Sequence, residues 1–179
     1  MVVPWERGLD KSKPMNQEVM WTNMKVFKEV MDKHCIPFVI IFGGLLGLVR
    51  EGELIDGDDD IDLACFSEDH RNISPVIAEL TSKGFYIPNK NECPMHDHFF
   101  IKDGEKIEIW WFDKLDGKRV YDQVVRYPAE YLEKTETYHS KGVDWPIPSN
   151  AENFLELTYG PTWKTPQPNG NYHAGLGRK

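Results

Sequence analysis

Hydrophobic positions along this chain recur with two different periods. Between residues 14 and 34, Met20, Met24, Phe27 and Met31 fall on one stripe widened by Val19 and Val30, the three-and-four spacing of an amphipathic helix. Pro14 suits the opening turn of that helix. Residues 36–42 (IPFVIIF) are then apolar almost without interruption and predict a buried strand, followed by a turn at Gly43-Gly44 and a short helix over LLGLVR. In Asp60-Ile61-Asp62-Leu63 the period changes to two, the signature of a strand with one face in the core. Ile61 and Leu63 are predicted to point inward, with Asp60 and Asp62 side by side on the other face.

Beyond that strand the pattern predicts a second amphipathic helix within residues 65–83. Ser67 is its candidate N-cap and Gly84 its stop, and Pro75 allows the helix to begin only there. Residues 85–88 read as a short strand and 89–94 as a loop. Residues 98–102 and 105–112 form a hairpin across Asp103-Gly104, a strong two-residue turn signal. Its second strand would send Ile107, Ile109 and Trp111 into the core and deliver Glu108 beside the Asp60/Asp62 strand. Asp116-Gly117 is another turn, and residues 127–132 a helical turn. Residues 143–148 are extended, because Pro146 and Pro148 disfavour helix before them. A last helix over 151–159 is capped by the Ser149-Asn150-Ala151-Glu152 run and ended by Gly160-Pro161. The expected organisation is a polar arm at residues 1–13, one domain at 14–163 and a Pro/Gly-rich tail at 164–179. The expected fold class is α/β (α+β), a small mixed β-sheet flanked by helices.

Charge changes the picture most at residues 56–62, where five carboxylates (Asp56, Asp58, Asp59, Asp60, Asp62) occupy seven positions. Such a concentration opposes folding unless something cationic offsets it, and a divalent metal is the natural candidate. Carboxylates at i and i+2 on a strand lie about 6–7 Å apart at the backbone, near enough for their oxygens to converge on one hard ion or a pair. Asp58 continues the same face. No apolar residue separates positions 58, 59 and 60, however, so the core pair is set at Asp60 and Asp62. A solvated acidic loop is the bland alternative. A calcium loop of the EF-hand type starting at Asp56 is excluded, since its sixth and twelfth positions, which need Gly and Glu, hold Ile61 and Ser67. Gly43 and Gly44 would let backbone N–H groups approach an anion at a helix N-terminus. Arg50 could grip a phosphate with its planar fork, or simply balance the end of its helix. A metal site and an anion site so close in sequence suit transfer of a metal-bound phosphate group.

Composition bounds the partners. The 179 residues carry 21 Lys+Arg against 29 Asp+Glu, a net charge of −8, and no basic cluster. A nucleic-acid polymer is therefore not an expected ligand, whereas a small phosphorylated donor chelated by metal is. Three scattered cysteines (Cys35, Cys65, Cys93) give no disulfide framework and suggest a reducing compartment. No apolar run is long enough for a membrane span and the first residues do not read as a signal peptide, so a soluble, cytoplasmic protein is expected. Cys93, His96 and His98 offer metal ligands within six residues, but the second pair that a structural zinc needs is absent nearby. A histidine near the donor phosphates and a plain loop are the other readings.

The run GGLLGLVREGELIDGDDDIDL, residues 43–63, resembles the signature of the LicD/fukutin-related family, a branch of the nucleotidyltransferase superfamily. Members carry Gly-[Ser/Thr/Gly]-Leu-Leu-Gly-x-x-Arg and then Asp-Asp-Asp-Ile-Asp, matched here by Gly43 to Arg50 and by Asp58 to Asp62. The family usually has Pro-Trp before its Asp run, where this chain has Asp56-Gly57. An extended Pro-rich segment followed by a helix ending in Tyr159-Gly160 extends the likeness over roughly residues 15–163. The resemblance implies a nucleotidyltransferase-like fold with Asp60, Asp62 and Glu108 as metal ligands and catalytic residues. It also implies Gly43, Gly44, Arg50 and Asp58 as the substrate-binding set, and Mg2+, or Mn2+ in its place, as cofactor. The implied reaction moves a phospho-alcohol, of the phosphocholine or polyol phosphate type, from a CDP-linked donor to a sugar or glycan hydroxyl and releases CMP. The alternatives are transfer of a nucleoside monophosphate from an NTP to a protein or small molecule, and a non-catalytic nucleotide- or glycan-binding relative.

Overall fold

The computed structural model of the chain describes residues 14–88, 98–122 and 125–166. The expected arm, most of the tail and the loop bearing Cys93 and His96 lie outside the described residues. Helix α1 (Gln17–Lys33) opens on the side chain of Asn16, which accepts from the Val19 N–H, rather than at Pro14. Its Met20, Met24, Phe27, Val30 and Met31 are buried as the stripe predicts, joined by Trp21. Phe27 packs edge-on against Phe38, Phe85 and Phe100 at 5.2–6.4 Å between ring centroids, tying α1 to the sheet.

The apolar run 36–42 yields only a two-residue strand, β1 (Val39–Ile40), and helix α2 (Phe42–Glu51) begins two residues later. The predicted Gly-Gly turn is thus the first turn of α2 itself. An unbroken apolar run has no period to mark where strand gives way to helix. The switch is made at Phe42, whose φ of +48° is a left-handed conformation that costs a non-glycine residue about 1–2 kcal/mol.

Strand β2 (Asp60–Phe66) continues through Cys65 and Phe66, so the next helix starts later than predicted. A 3-10 segment (Ser67–Asn72) leads into α3 (Ile73–Ser82), and Ser67 caps nothing. Pro75 falls in the first turn of α3, where its missing N–H is not needed. Gly84 (φ +90°) does stop α3, with Gly84 N–H donating to the Thr81 carbonyl and Phe85 N–H to the Leu80 carbonyl. The predicted strand at 85–88 reduces to a single bridge between Tyr86 and Ile101.

The hairpin forms as predicted: β3 (His98–Lys102) and β4 (Glu105–Leu115) are joined by Asp103 and Gly104, both at positive φ. Residues 106–112 of β4 pair in parallel with β2, and residues 105–109 pair antiparallel with β3 on the other side. Its last residues pair with β5 (Lys118–Tyr121) across the Asp116-Gly117 turn, and β6 (Val125–Pro128) follows at the edge. Among the described residues the result is one mixed six-stranded sheet.

A short helix α4 (Ala129–Glu133) precedes a separate hairpin of β7 (Thr135–Ser140) and β8 (Val143–Pro148). Trp145 of β8 is fully buried against Trp21 of α1. Helix α5 (Ala151–Tyr159) has the predicted bounds but a different cap, for no Asn150 side-chain bond forms and the Asn150 N–H donates to the Glu136 carboxylate at 2.7 Å. Tyr127 of β6 stacks on Phe154 at 4.3 Å, and its hydroxyl is 2.9 Å from that of Thr158, which fixes α5 against the sheet. Among the described residues no helix is long and apolar enough to cross a membrane.

Candidate active site

The in-register parallel pairing of β2 with β4 places Asp60 opposite Lys106 and Asp62 opposite Glu108. Side chains at i and i+2 share a face, so Asp60, Asp62, Lys106, Glu108 and Trp110 project from one side of two adjacent strands. Carboxylate oxygens of Asp60, Asp62 and Glu108 lie within 4.8 Å of one another, and so do those of Asp58, Asp59 and Asp60. Opposite these groups, Ile61, Leu63, Ile107 and Ile109 are at most 1% exposed, so the apolar face holds the acidic one rigid.

The site is not electrically neutral. Burial, then the charges of Asp60 and Glu108, push Asp62 well above the usual carboxylate range, against a 2.8 Å hydrogen bond donated by the Trp110 indole. Burial, then Asp60, push Asp58 up to about 6, although the Asp59 N–H donates to its Oδ1 at 3.1 Å. One oxygen of Asp59 is buried with no hydrogen-bond partner. Among the described residues Lys106 is ion-paired to the cluster; it is 4% exposed, with Nζ 2.6 Å from Asp60 Oδ2 and 3.7 Å from Glu108 Oε2. Burial pulls its pKa down, but the charge and hydrogen bond of Asp60 and the charges of Glu108 and Asp59 more than offset that and raise it above the ordinary lysine value. A hard all-oxygen donor set with surplus negative charge fits a divalent ion such as Mg2+ or Mn2+.

The glycines of α2 stand beside this cluster. A Cβ on Gly43 would collide with Asp58 Oδ2, so the side chain of Asp58 covers the start of the helix. Gly44 faces the core, with Ile40 Cγ2 3.1 Å from where its Cβ would be. Arg50 is not at that end of α2. It lies about 10 Å further along the axis, at 1.5 Å per residue, where it donates to Glu51 and, at 3.5 Å, to the Trp163 carbonyl. His98 accepts from the Trp111 indole through Nδ1 at 2.9 Å and packs beside His70, in a cluster of its own.

Three side chains belong to the site that the sequence reading did not select. Trp110 and Lys106 share the period-two face that selected Glu108, so the same signal would have found them. Trp110 is edge-on to Phe42 at 5.0 Å and 4.6 Å from Tyr121, an aromatic wall beside Asp62. Tyr159, in the last turn of α5, is raised in pKa by burial and then by the charges of Asp62, Tyr127 and Asp58. The Tyr159-Gly160 helix ending carries part of the family likeness, but nothing local in it points to the carboxylates.

Residues 35–150 match the family model described as the LicD/FKTN/FKRP nucleotidyltransferase domain. The chain belongs to this family. The LicD-type match contains every carboxylate of the cluster as well as Gly43, Gly44, Lys106 and Trp110, whereas Tyr159 and Trp163 lie beyond it. The chain is 30% identical over 134 residues to the human ribitol 5-phosphate transferase FKRP, an alignment covering 66% of this chain and 26% of that protein. It is 24% identical over 152 residues to the Macaca fascicularis ribitol-5-phosphate transferase FKTN, covering 80% of this chain and 32% of that one. An uncharacterized Rickettsia typhi protein is 29% identical over 119 residues, covering 66% and 36%. The chain thus spans between about a quarter and just over a third of the length of these curated relatives. In fold it resembles the antibiotic-resistance factor ANT(2'')-Ia in solution, with a TM-score of 0.56, 14% identity, and 88% and 80% of the two chains covered. The crystal structure of ANT(2'')-Ia with adenylyl-2''-tobramycin gives a TM-score of 0.53 at 15% identity, covering 81% of this chain and 77% of that one. The nucleotidyltransferase-like fold expected from the sequence is the fold observed.

Proposed function

We propose that the protein transfers a phospho-alcohol, of the polyol phosphate or phosphocholine type, from a CDP-linked donor to a sugar hydroxyl. The observation that carries this reading is the convergence of Asp60, Asp62 and Glu108 from two parallel strands beside the glycine-started helix α2. The relatives named ribitol 5-phosphate transferases support the polyol phosphate as the group transferred.

Asp60, Asp62 and Glu108 would hold one or two Mg2+ ions, which when bound neutralise the donor phosphates and ease ionisation of the acceptor hydroxyl. The N–H groups at the start of α2, around Gly43 and Gly44, would donate to a phosphate oxygen once the Asp58 side chain gives way. The partly exposed rings of Phe42, Trp110 and Tyr121 offer a stacking face for a pyrimidine base. The Trp110 hydrogen bond fixes the Asp62 carboxylate, and rigid placement of this kind is what an in-line displacement requires.

Incubation with Mg2+ and CDP-ribitol, CDP-choline or ATP, each with a panel of sugar acceptors, tests the assignment. Release of CMP with a phospho-alcohol appearing on the acceptor supports it. Pyrophosphate release from ATP instead would make the protein a transferase of nucleoside monophosphates.

A further inference from the structure

Transfer of a metal-bound phosphate group calls for carboxylates, and a buried lysine among them needs its own explanation. The Lys106 ammonium touches two of the three carboxylates assigned to the ion, Asp60 at 2.6 Å and Glu108 at 3.7 Å, and lies 5.3 Å above the Phe99 ring. Such a lysine has two opposed effects. It orients Asp60 and Glu108, and it occupies a carboxylate oxygen that an incoming cation would need. Two positive charges within a few ångströms of each other repel strongly even when screened.

We infer that Lys106 is the resident counter-cation of the carboxylate cluster, a positioning residue whose ammonium leaves Asp60 when a divalent ion binds. The inference rests on the metal-binding reading of Asp60, Asp62 and Glu108. It assigns Lys106 the role of holding metal affinity low in the free protein. The ion then binds well only together with donor phosphates, whose negative charge restores the balance. A lysine that merely braced the strands would act with the opposite sign, since its loss would loosen the ligands and weaken metal binding.

The sign can be read directly. Mn2+ alone is titrated, without nucleotide, into the wild type, Lys106→Met, Lys106→Arg and Asp62→Asn, with free Mn2+ followed by electron spin resonance. Expected are binding at least about tenfold tighter in Lys106→Met, near-wild-type binding in Lys106→Arg, and weakened binding in Asp62→Asn. Lys106→Met should also melt at a lower temperature in EDTA and recover on adding Mn2+. Equal or weaker binding by Lys106→Met, with binding still lost in Asp62→Asn, overturns the counter-cation role and leaves the metal reading standing. No Mn2+ binding by either wild type or Lys106→Met overturns both. Should Lys106→Met fail to fold, side-chain ammonium NMR of the wild type decides. A slowly exchanging Lys106 resonance that moves on saturation with Mg2+ supports the role, and one that stays unchanged refutes it.

Discussion

Two clusters of ionised side chains flank β4, and they are balanced in opposite ways. Near its end, Arg119 is 3% exposed and stacked 4.1 Å from the centre of the Phe66 ring. It makes a two-pronged contact with Glu68 at 2.6 and 2.8 Å and a third with Glu133 at 2.9 Å. The Arg119 hydrogen bond holds Glu68 down to about 2, and Lys114 first and then Arg119 lower Glu133. Near the start of β4, the carboxylates of Asp58, Asp59, Asp60, Asp62 and Glu108 outnumber the cations that the described residues bring to them, and Asp58 and Asp62 are pushed upward instead. The first arrangement stabilises the fold. The second opposes it, and surplus charge kept against the interest of folding is what a cation-binding site would carry.

This contrast can be broken or sharpened by substitution. The largest effect belongs to Asp62→Asn, which is expected to lower the rate of phospho-alcohol transfer by about 10²–10⁴ while the metal-free protein is no less stable than wild type. Steady-state CMP release and urea unfolding in EDTA read the two parts. Arg119→Met is expected to do the reverse, costing about 1–3 kcal/mol in urea unfolding with transfer per folded molecule unchanged. The loss is moderate because Glu68 and Glu133 can still reach water once the arginine is gone.

A smaller effect of opposite sign follows for Asp58→Asn, which should stabilise the metal-free protein at pH 7 by about 1 kcal/mol, after allowance for solvent screening. Its pH dependence checks the cause. A carboxylate raised from 3.8 to about 6 contributes stability that is present below pH 3.8 and lost as pH rises through about 6. The advantage of Asp58→Asn over wild type should therefore be small at pH 4 and grow toward pH 7. Glu68→Gln gives the smallest change, below about 1 kcal/mol, because the Glu68 side chain is 52% exposed. Glu68 lies below its ordinary value of 4.5, so its contribution is present above pH 4.5 and is lost as pH falls through about 2. The deficit of Glu68→Gln should shrink along the same path.

Much of the site was legible because it is built from short-range rules. The alternation in Asp60-Ile61-Asp62-Leu63 sets which side chains face away from the core, and the Asp103-Gly104 turn sets the register of β4. Together they place Glu108 on an acidic face before any coordinates are known. Period two selects Lys106 and Trp110 just as firmly, but a search for carboxylates alone passes over a lysine and an indole. The start of α2 was misplaced because IPFVIIF is apolar throughout and carries no period to separate strand from helix. On the motif alone Arg50 could serve a phosphate or the end of its helix; it falls in the last turn of α2, where it donates to Glu51 and to the Trp163 carbonyl. Tyr159 is positioned by the packing of α5 on α2 and on Tyr127, contacts between distant residues that no local pattern encodes.

Anomalous scattering from a crystal soaked in Mn2+ and a CDP-linked donor tests most directly whether these carboxylates are a metal centre. The account predicts a peak about 2.0–2.3 Å from oxygens of Asp60, Asp62 and Glu108, with the Lys106 ammonium withdrawn from Asp60. A crystal that holds the donor with no peak there, and with Lys106 still bonded to Asp60, would contradict it.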